Sequence, residues 1–150
     1  MCIRDRLDFM GMAPPTVEDS RGLAECLNLC AMLERLDLSG VKMSDEACVA
    51  TFSTLGRGAL PQLTYLSLMS NQISDAGCTA LAEAVGRGAL PQLTELSLHS
   101  NQISDAGCTA LAEAVGRGAL PNCTEIDLDP NLASKAARRK VKDALMDREK

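Results

Sequence analysis

The chain has 150 residues, a formal net charge of −5 and a single histidine. The charge is uneven: residues 1–131 carry 8 Lys and Arg against 17 Asp and Glu, whereas residues 132–150 carry 7 against 3. A body of net charge −9 argues against a nucleic acid as the main partner, because affinity for a phosphate backbone comes from clustered Lys and Arg.

The cysteines and the start of the chain favour a reduced, cytoplasmic setting. Seven is an odd number of cysteines, and no CxxC pair accompanies them to suggest a zinc site. No apolar run approaches the ~18 residues that a membrane span needs, and the charged first residues lack the apolar core of a secretory signal. We therefore expect a cytoplasmic protein that does not bind a membrane.

In chain order, residues 1–16 match no repeat, and Pro14-Pro15 closes them off as a linker. The first six residues, MCIRDR, also resemble the translated adapter remnants found at the start of some transcript-derived reading frames. We expect an unstructured or non-native leader over residues 1–16.

Helical spacing begins at residue 17. Apolar residues recur three and four positions apart, and GLAEC at 22–26 echoes ALAEA at 80–84. Residues 17–32 are therefore expected to be the helical half of a partial first repeat.

Three units of 30 residues follow in phase, at 33–62, 63–92 and 93–122, and a shorter unit covers 123–150. The second and third units are identical at 27 of 30 positions. A period of this length is the signature of a solenoid in which each unit packs against its neighbours. The sequence thus predicts one repeat domain over residues 17–150, with 123–150 as its C-terminal capping repeat.

Each full unit predicts a strand followed by a helix. Leu63, Leu66 and Leu68 have the alternation of a short strand whose leucines point inward and whose intervening residues point outward. Ser74 or Asp75 is the expected N-cap of a helix that extends through Val85.

The helix surface predicts ion pairs one turn apart. Glu83 precedes Arg87 by four residues, the favourable order for an i,i+4 pair, and the next unit repeats the arrangement.

The pattern LxxLxLxxNxI at 63–73 and again at 93–103, each time followed by a helix that begins with DAG, resembles the leucine-rich repeat of the ribonuclease-inhibitor type. Similar repeats occur in the sensor regions of NOD-like receptors and in the Ran GTPase-activating protein. The resemblance implies an α/β leucine-rich-repeat solenoid, a horseshoe segment with parallel strands on the concave face and helices on the convex face.

The resemblance also implies a structural ladder of asparagines. Asn71 and Asn101 match the family's buried asparagine, whose amide bonds the backbone of the turn and is buried only because it is satisfied. Asn131 occupies the matching position in the last unit, whereas Val41 replaces it in the first. We expect the ladder to lack that rung.

Positions 3, 5 and 7 of each unit alternate with the buried leucines and therefore project from the concave face of the sheet. We name these residues the concave stripe. Two of the three differences between the near-identical units fall there, Tyr65 against Glu95 and Met69 against His99. If the stripe binds a partner, Tyr65 and Met69 are its apolar anchor and the carboxylates form the polar rim of the interface. Sequence drift at exposed positions after a recent duplication explains the two differences equally well. The predicted protein-binding residues are Arg35, Asp37, Tyr65, Ser67, Met69, Glu95, Ser97, His99, Glu125, Asp127 and Asp129.

A metal or catalytic cluster within the stripe is disfavoured by distance. Strands ~4.8 Å apart put His99 beside Asp129 and Glu95 beside Glu125, but the two pairs lie about 13 Å apart along the strands. One coordination sphere does not reach both pairs. Phosphate-binding and nucleophile motifs are also missing from the sequence, so we predict no metal, no cofactor, no catalytic residue and no enzyme activity.

Cys48, Cys78 and Cys108 occupy one position in successive predicted helices. Helix axes pack about 8–10 Å apart, too far for a disulfide, so we expect small, semi-buried fillers at the margin of the inward face.

The basic C-terminal segment predicts a capping helix with a solvated cationic face. The residues expected to cover the last repeat are Leu132, Ala136, Val141, Ala144 and Leu145.

The sequence therefore predicts a monomeric protein–protein interaction module, a fragment of a larger sensor or scaffold protein, that presents its concave surface to another protein. A GTPase-activating regulator of a small GTPase is one alternative, although the Ran activator has an acidic tract after its repeats where this chain has a basic helix. A structural spacer without a ligand is the other. Neither a nucleic acid nor a membrane is expected as a partner.

Overall fold

The computed structural model describes residues 6–9 and 14–147, in which short parallel strands alternate with helices. The strands are β1 (Arg6–Asp8), β2 (Arg35–Asp37), β3 (Tyr65–Ser67), β4 (Glu95–Ser97) and β5 (Glu125–Asp127). The helices are α1 (Val17–Asn28), α2 (Asp45–Phe52), α3 (Asp75–Gly86), α4 (Asp105–Gly116) and α5 (Lys135–Asp147). The strands pair in chain order and each helix packs against the next one, so the chain forms an α/β solenoid of two layers.

The core lies between the two layers and is almost entirely aliphatic. The central leucine of each strand is in register with that of the next, and Leu36, Leu66 and Leu96 are buried with Ile126 at the end of the row. The leucines before and after β2, β3 and β4 are buried as well. The predicted alternation of strand and helix with inward-pointing leucines is confirmed.

Strand β1 corrects the prediction for the leader. Arg6–Asp8 pairs in parallel with Arg35–Asp37, and the Phe9 amide donates to the Asp37 carbonyl at 2.9 Å. The sequence contains the signal, because RLDF in β1 repeats RLDL in β2. An unstructured leader is therefore wrong for these three residues, while residues 1–5 and 10–13 lie outside the described part of the chain.

The start of helix α3 is held by the preceding repeat. Ser74 is the N-cap residue, as predicted, but its hydroxyl does not cap its own helix. Instead the carboxylate of Asp45, the first residue of α2, accepts hydrogen bonds from the Ser74 amide at 2.7 Å, the Gly77 amide at 3.1 Å and the Ser74 hydroxyl. The same three bonds recur one repeat later at the start of α4.

Glycine at position 77 makes room for this bridge. A Cβ atom there would lie 2.7 Å from the Asp45 carboxylate and 2.9 Å from the side chain of Ile73. Where alanine occupies the same position, at Ala47 and Ala137, the N-cap serine of that helix accepts the amide hydrogen bond itself. At Ala137 the Asp105 carboxylate of the preceding repeat still accepts from the Ser134 amide at 2.6 Å, so glycine adds only the bond from its own amide to that carboxylate.

Helix α2 ends one turn earlier than the corresponding helices, and Arg87 from the next repeat covers its end. The Thr51 hydroxyl donates back to the Ala47 carbonyl at 2.8 Å, a bond that competes with regular helix geometry, while Phe52 is fully buried. The Arg87 guanidinium donates to the carbonyls of Phe52 at 3.0 Å and Leu55 at 3.2 Å. These carbonyls would otherwise be unsatisfied helix-end acceptors.

This role of Arg87 replaces the ion pair predicted with Glu83. Within residues 14–147 the structure has ion pairs at Arg138–Asp129 and Arg139–Asp143, and none joins Glu83 to Arg87. An exposed i,i+4 pair contributes only ~0.3–0.5 kcal/mol, less than a guanidinium that satisfies several helix-end carbonyls. The prediction was wrong because it considered one helix at a time.

Helix α5 covers the last repeat with a face that differs in part from the predicted one. Ala137, Val141 and Leu145 are buried, four residues apart. Leu132 precedes the helix and is 72% exposed, and Ala136 is also exposed. The prediction is therefore wrong for those two residues, because the helix begins at Lys135 and its inward stripe runs through 137 rather than 136.

Substituting Gly77 tests the bridge between repeats. Gly77→Ala should lower the free energy of unfolding by about 1–3 kcal/mol, because the added Cβ displaces the capping carboxylate. Gly86→Ala is the matched control, since nothing lies within 4 Å of its added Cβ, and it should be neutral or stabilising by up to about 1 kcal/mol. Urea unfolding of both variants measures the difference. Equal effects at the two positions would contradict the steric role of Gly77.

Asp75 makes the bridge to α4 dependent on pH. Burial alone would raise the pKa of Asp75, but hydrogen bonds from the Ser104 hydroxyl and the Ser104 and Gly107 amides outweigh it and hold that pKa below its ordinary value. The ionised carboxylate of Asp75 therefore stabilises the fold fully at pH values above its unfolded-state pKa of about 4. This stabilisation is lost as the pH falls through the lower pKa that Asp75 has in the folded state.

At pH ~6 we expect the wild-type protein to have a higher free energy of unfolding than Asp75→Asn. This difference in free energy should become smaller towards pH ~3, as Asp75 becomes protonated. Urea unfolding at both pH values measures the gap, with exposed Glu113→Gln as the control that shows none. A gap that stays constant over this range would show that the charge of Asp75 does not contribute.

Candidate protein-binding surface

The concave stripe consists of three rows that cross the strands on the face opposite the helices. Rows 3 and 5 follow the observed strand register, and row 7 lies just beyond the strand ends. Row 3 is Arg35, Tyr65, Glu95 and Glu125; row 5 is Asp37, Ser67, Ser97 and Asp127; row 7 is Ser39, Met69, His99 and Asp129.

Row 3 changes in character along the solenoid. The Arg35 guanidinium lies 4.0 Å from the centroid of the half-buried Tyr65 ring, a cation–π contact. Glu95 and Glu125 are exposed and directly opposite each other in register. Like charges in that position repel. One end of the row is thus cationic and aromatic, and the other carries two adjacent carboxylates.

Row 5 is less accessible than predicted. Ser67 is fully buried, and its hydroxyl lies 2.7 Å from that of Ser39, which is also buried and donates to Asp37. The predicted binding role of Ser67 is therefore corrected, because short side chains that satisfy one another lie below their neighbours and offer a partner no surface. Ser97 and Asp127 are half-buried.

Row 7 contains Met69 and His99, both half-buried, and the exposed Asp129. The predicted proximity of His99 and Asp129 does not produce a pair: His99 Nδ1 lies 3.1 Å from the Ser100 hydroxyl, and Asp129 forms an ion pair with Arg138 of α5. A helix packed beside the last strand supplies a stronger partner than the imidazole. Among the described residues, no three His, Cys, Asp or Glu side chains come together as a metal site would require.

The asparagines behind row 7 join consecutive repeats. The Asn71 amide nitrogen donates to the carbonyls of Leu68 and of Leu38 in the preceding repeat, both at 2.9 Å. Its oxygen accepts from the Met43 amide, also in the preceding repeat, at 3.0 Å. The family resemblance implied bonds within the turn, and the structure adds the bonds between repeats.

Asn101 and Asn131 make the corresponding bonds in the next two repeats, with their oxygens 3.1 Å from the amides of Ile73 and Ile103. Val41 is buried at the matching position of the first full unit, where no amide is available to make the bonds.

The sequence prediction missed two residues next to the stripe. Asp8 of β1 extends row 5 and is paired in register with Asp37. Arg138 reaches Asp129 from α5. The RLD repeat at 6–8 could have revealed Asp8, whereas the position of Arg138 depends on how α5 packs.

Cys48, Cys78 and Cys108 fill space between the helices, as predicted, but they are fully buried rather than semi-buried because the helix of the next repeat covers them. The thiols of Cys48 and Cys78 lie 3.5 Å from the carbonyls of Gly77 and Gly107 in the following repeat. Burial raises the pKa of Cys48 to about 12 and also raises that of Cys78. These side chains are therefore protonated at neutral pH and carry no thiolate chemistry.

The comparisons with known proteins agree with this geometry. A family model described as "Leucine Rich repeat" matches residues 60–82 and 90–112. No curated protein matches the chain by sequence. The repeat match and the alternating strands and helices together show an α/β solenoid of the leucine-rich-repeat fold.

Several solved structures share this fold, among them the following two. "Leiomodin-1 Actin-Binding Site 2" has a TM-score of 0.77 at 18% identity, with 99% of this chain and 82% of that chain covered. The tropomodulin C-terminal domain of Caenorhabditis elegans has a TM-score of 0.73 at 17% identity, with 99% and 86% covered. Identities this low establish the shared fold and nothing more. The ribonuclease-inhibitor type and the similarity to NOD-like receptors stay predictions.

No helix within residues 14–147 combines the length and apolar character that crossing a bilayer requires.

Proposed function

We propose that the chain is a protein-interaction module that binds its partner on the concave stripe. The observation that supports this most strongly is where two near-identical repeats differ. Helices α3 and α4 have the same sequence, whereas Tyr65 and Met69 in one repeat correspond to Glu95 and His99 in the next. These four residues lie at least partly exposed on one face, where a substitution changes recognition without changing the fold.

The stripe offers a small but chemically varied contact surface. Tyr65 and Met69 provide the apolar centre, Arg35 the cationic side, and Glu95 with Glu125 the acidic side. Five strands ~4.8 Å apart and three rows spanning about 13 Å make a surface smaller than the ~800 Å² that each partner buries in a standard interface. A short segment or a single helix of the partner fits it better than a broad domain face.

Actin is the first candidate to assay, because one of the similar structures is named as an actin-binding site. The larger sensor or scaffold protein expected from the sequence stays a prediction. So do the two alternatives, a GTPase-activating regulator and a spacer without a ligand. Acceleration of GTP hydrolysis by a small GTPase would favour the first, and the absence of any partner at the stripe would favour the second.

Site-directed photocrosslinking tests the proposal. A benzoylphenylalanine at position 69 should crosslink a partner that the same probe at Thr109, exposed on α4, does not reach. With that partner purified, Tyr65→Ala and Met69→Ala should each weaken its Kd by ~10-fold or more, as expected for apolar anchors at the centre of an interface.

Thr109→Ala is the matched control and should bind with wild-type affinity. A partner that crosslinks equally from both positions, or that binds Tyr65→Ala as tightly as wild type, would overturn the assignment of the stripe as the binding surface.

A further inference from the structure

Helices α1 and α5 lie at the two ends of the helical layer that the structure describes. Helix α1 packs against α2 and α5 packs against α4, so each end helix has a single helical neighbour in the described chain. Each also has a face that an internal helix would bury. The solenoid gives all its helices the same direction, because every unit repeats the same strand and helix.

Helix α5 presents a cationic stripe that ends in methionine. On an exposed side of this helix lie residues spaced four, seven and eleven positions from the first, a spacing that places them along one side of a helix. All four are exposed, and the methionine is 65% exposed. The residues of this stripe are Lys135, Arg139, Lys142 and Met146.

Among the described residues, the cations of this stripe meet few carboxylates: Asp129 lies beside Lys135, Arg139 and Lys142 but pairs with Arg138. Like charges one turn apart destabilise a helix. Asp143 lies 3.9 Å from Arg139, but both side chains are more than half exposed, and such surface pairs contribute little. A negatively charged surface from outside the chain would relieve the repulsion.

Helix α1 presents an acidic stripe with the same spacing. Glu18, Gly22 and Glu25 are exposed on the side away from the core, and Leu29, just after the helix, is 84% exposed. Arg21 lies on the flank of this stripe. The stripe is therefore acidic over its first two turns and apolar at its end.

We propose that α1 of one copy of this chain packs against α5 of a second copy, head to tail. Two helices that run in the same direction bring the stripes together in a single register, with carboxylates against cations, the leucine against the methionine, and the long arginine over a glycine. The pairs are Glu18 with Lys135, Gly22 with Arg139, Glu25 with Lys142, and Leu29 with Met146.

The contact is weak and open-ended. Two helices of 12 and 13 residues bury less than the ~1,200 Å² of a stable interface, so association occurs at high protein concentration. A head-to-tail contact leaves a free end on each copy, and further copies add to it rather than close it. This association departs from the monomer expected from the sequence.

Sedimentation of the full chain tests the contact. From ~10 µM to ~1 mM protein the average mass should rise, and the rise should diminish when the salt is increased from ~20 mM to ~500 mM. Glu25→Lys and Lys142→Glu should each weaken association by ~10-fold or more, because each puts like charges at the same contact.

Mixing the two variants is the decisive step. Each mixed contact then pairs opposite charges, so an equimolar mixture should recover wild-type association. Glu113→Lys and Lys140→Glu make the same charge changes away from the stripes and should associate like wild type, and circular dichroism confirms that all four variants fold. A monomeric wild type over this range, single variants that associate normally, or a mixture without recovery would each overturn the proposal.

Discussion

The structure depends on side chains of one repeat that satisfy backbone polar groups of its neighbour. Strands of three residues supply few backbone bonds, and the turns around them carry amides and carbonyls that must be paired when buried. Asn71 and Asn101 bond to the preceding repeat, and Asp45 and Asp75 cap the helix of the following one. Without these bridges, stacking would bury unpaired polar groups at every turn.

Because the bridges and the leucine core determine the stacking, the open face of the sheet can vary. Tyr65 and Glu95 occupy the same register position above equally buried leucines, and the helices behind them are identical. The surface chemistry therefore changes from cationic and aromatic to acidic over two strands without a change in fold. This separation of scaffold from surface supports the proposal that the concave stripe recognises a protein.

The sequence predicted the features that arise from local periodicity. Buried leucines, short strands and the N-cap position of α3 follow from residues within one unit, and the exact repetition made them easy to recognise. What the sequence did not predict lies between units. The bond from Gly77 to Asp45 joins residues 32 positions apart, and Arg87 reaches a helix end in the repeat before it.

Burial within the stripe was also beyond prediction. Ser67 alternates correctly with the leucines, yet it is fully buried, and its hydroxyl lies 2.7 Å from that of Ser39, which in turn donates to Asp37. The exposed Leu132 shows the same limit at the other end, because the helix start that excludes it from the core is decided by tertiary packing. Alternation gives the face of a strand on which a side chain lies, and only packing gives its accessibility.

Amide hydrogen exchange at Ile73 and Ile103 tests most directly whether the asparagines join the repeats. Both amides lie outside regular secondary structure and donate to the side chain of the next repeat's asparagine at 3.1 Å. We expect both to exchange as slowly as the core strands, and Asn101→Ala to release Ile73 while Ile103 stays protected. Fast exchange of both amides in the wild-type protein, or unchanged protection of Ile73 in the variant, would contradict the bridging role of the asparagines.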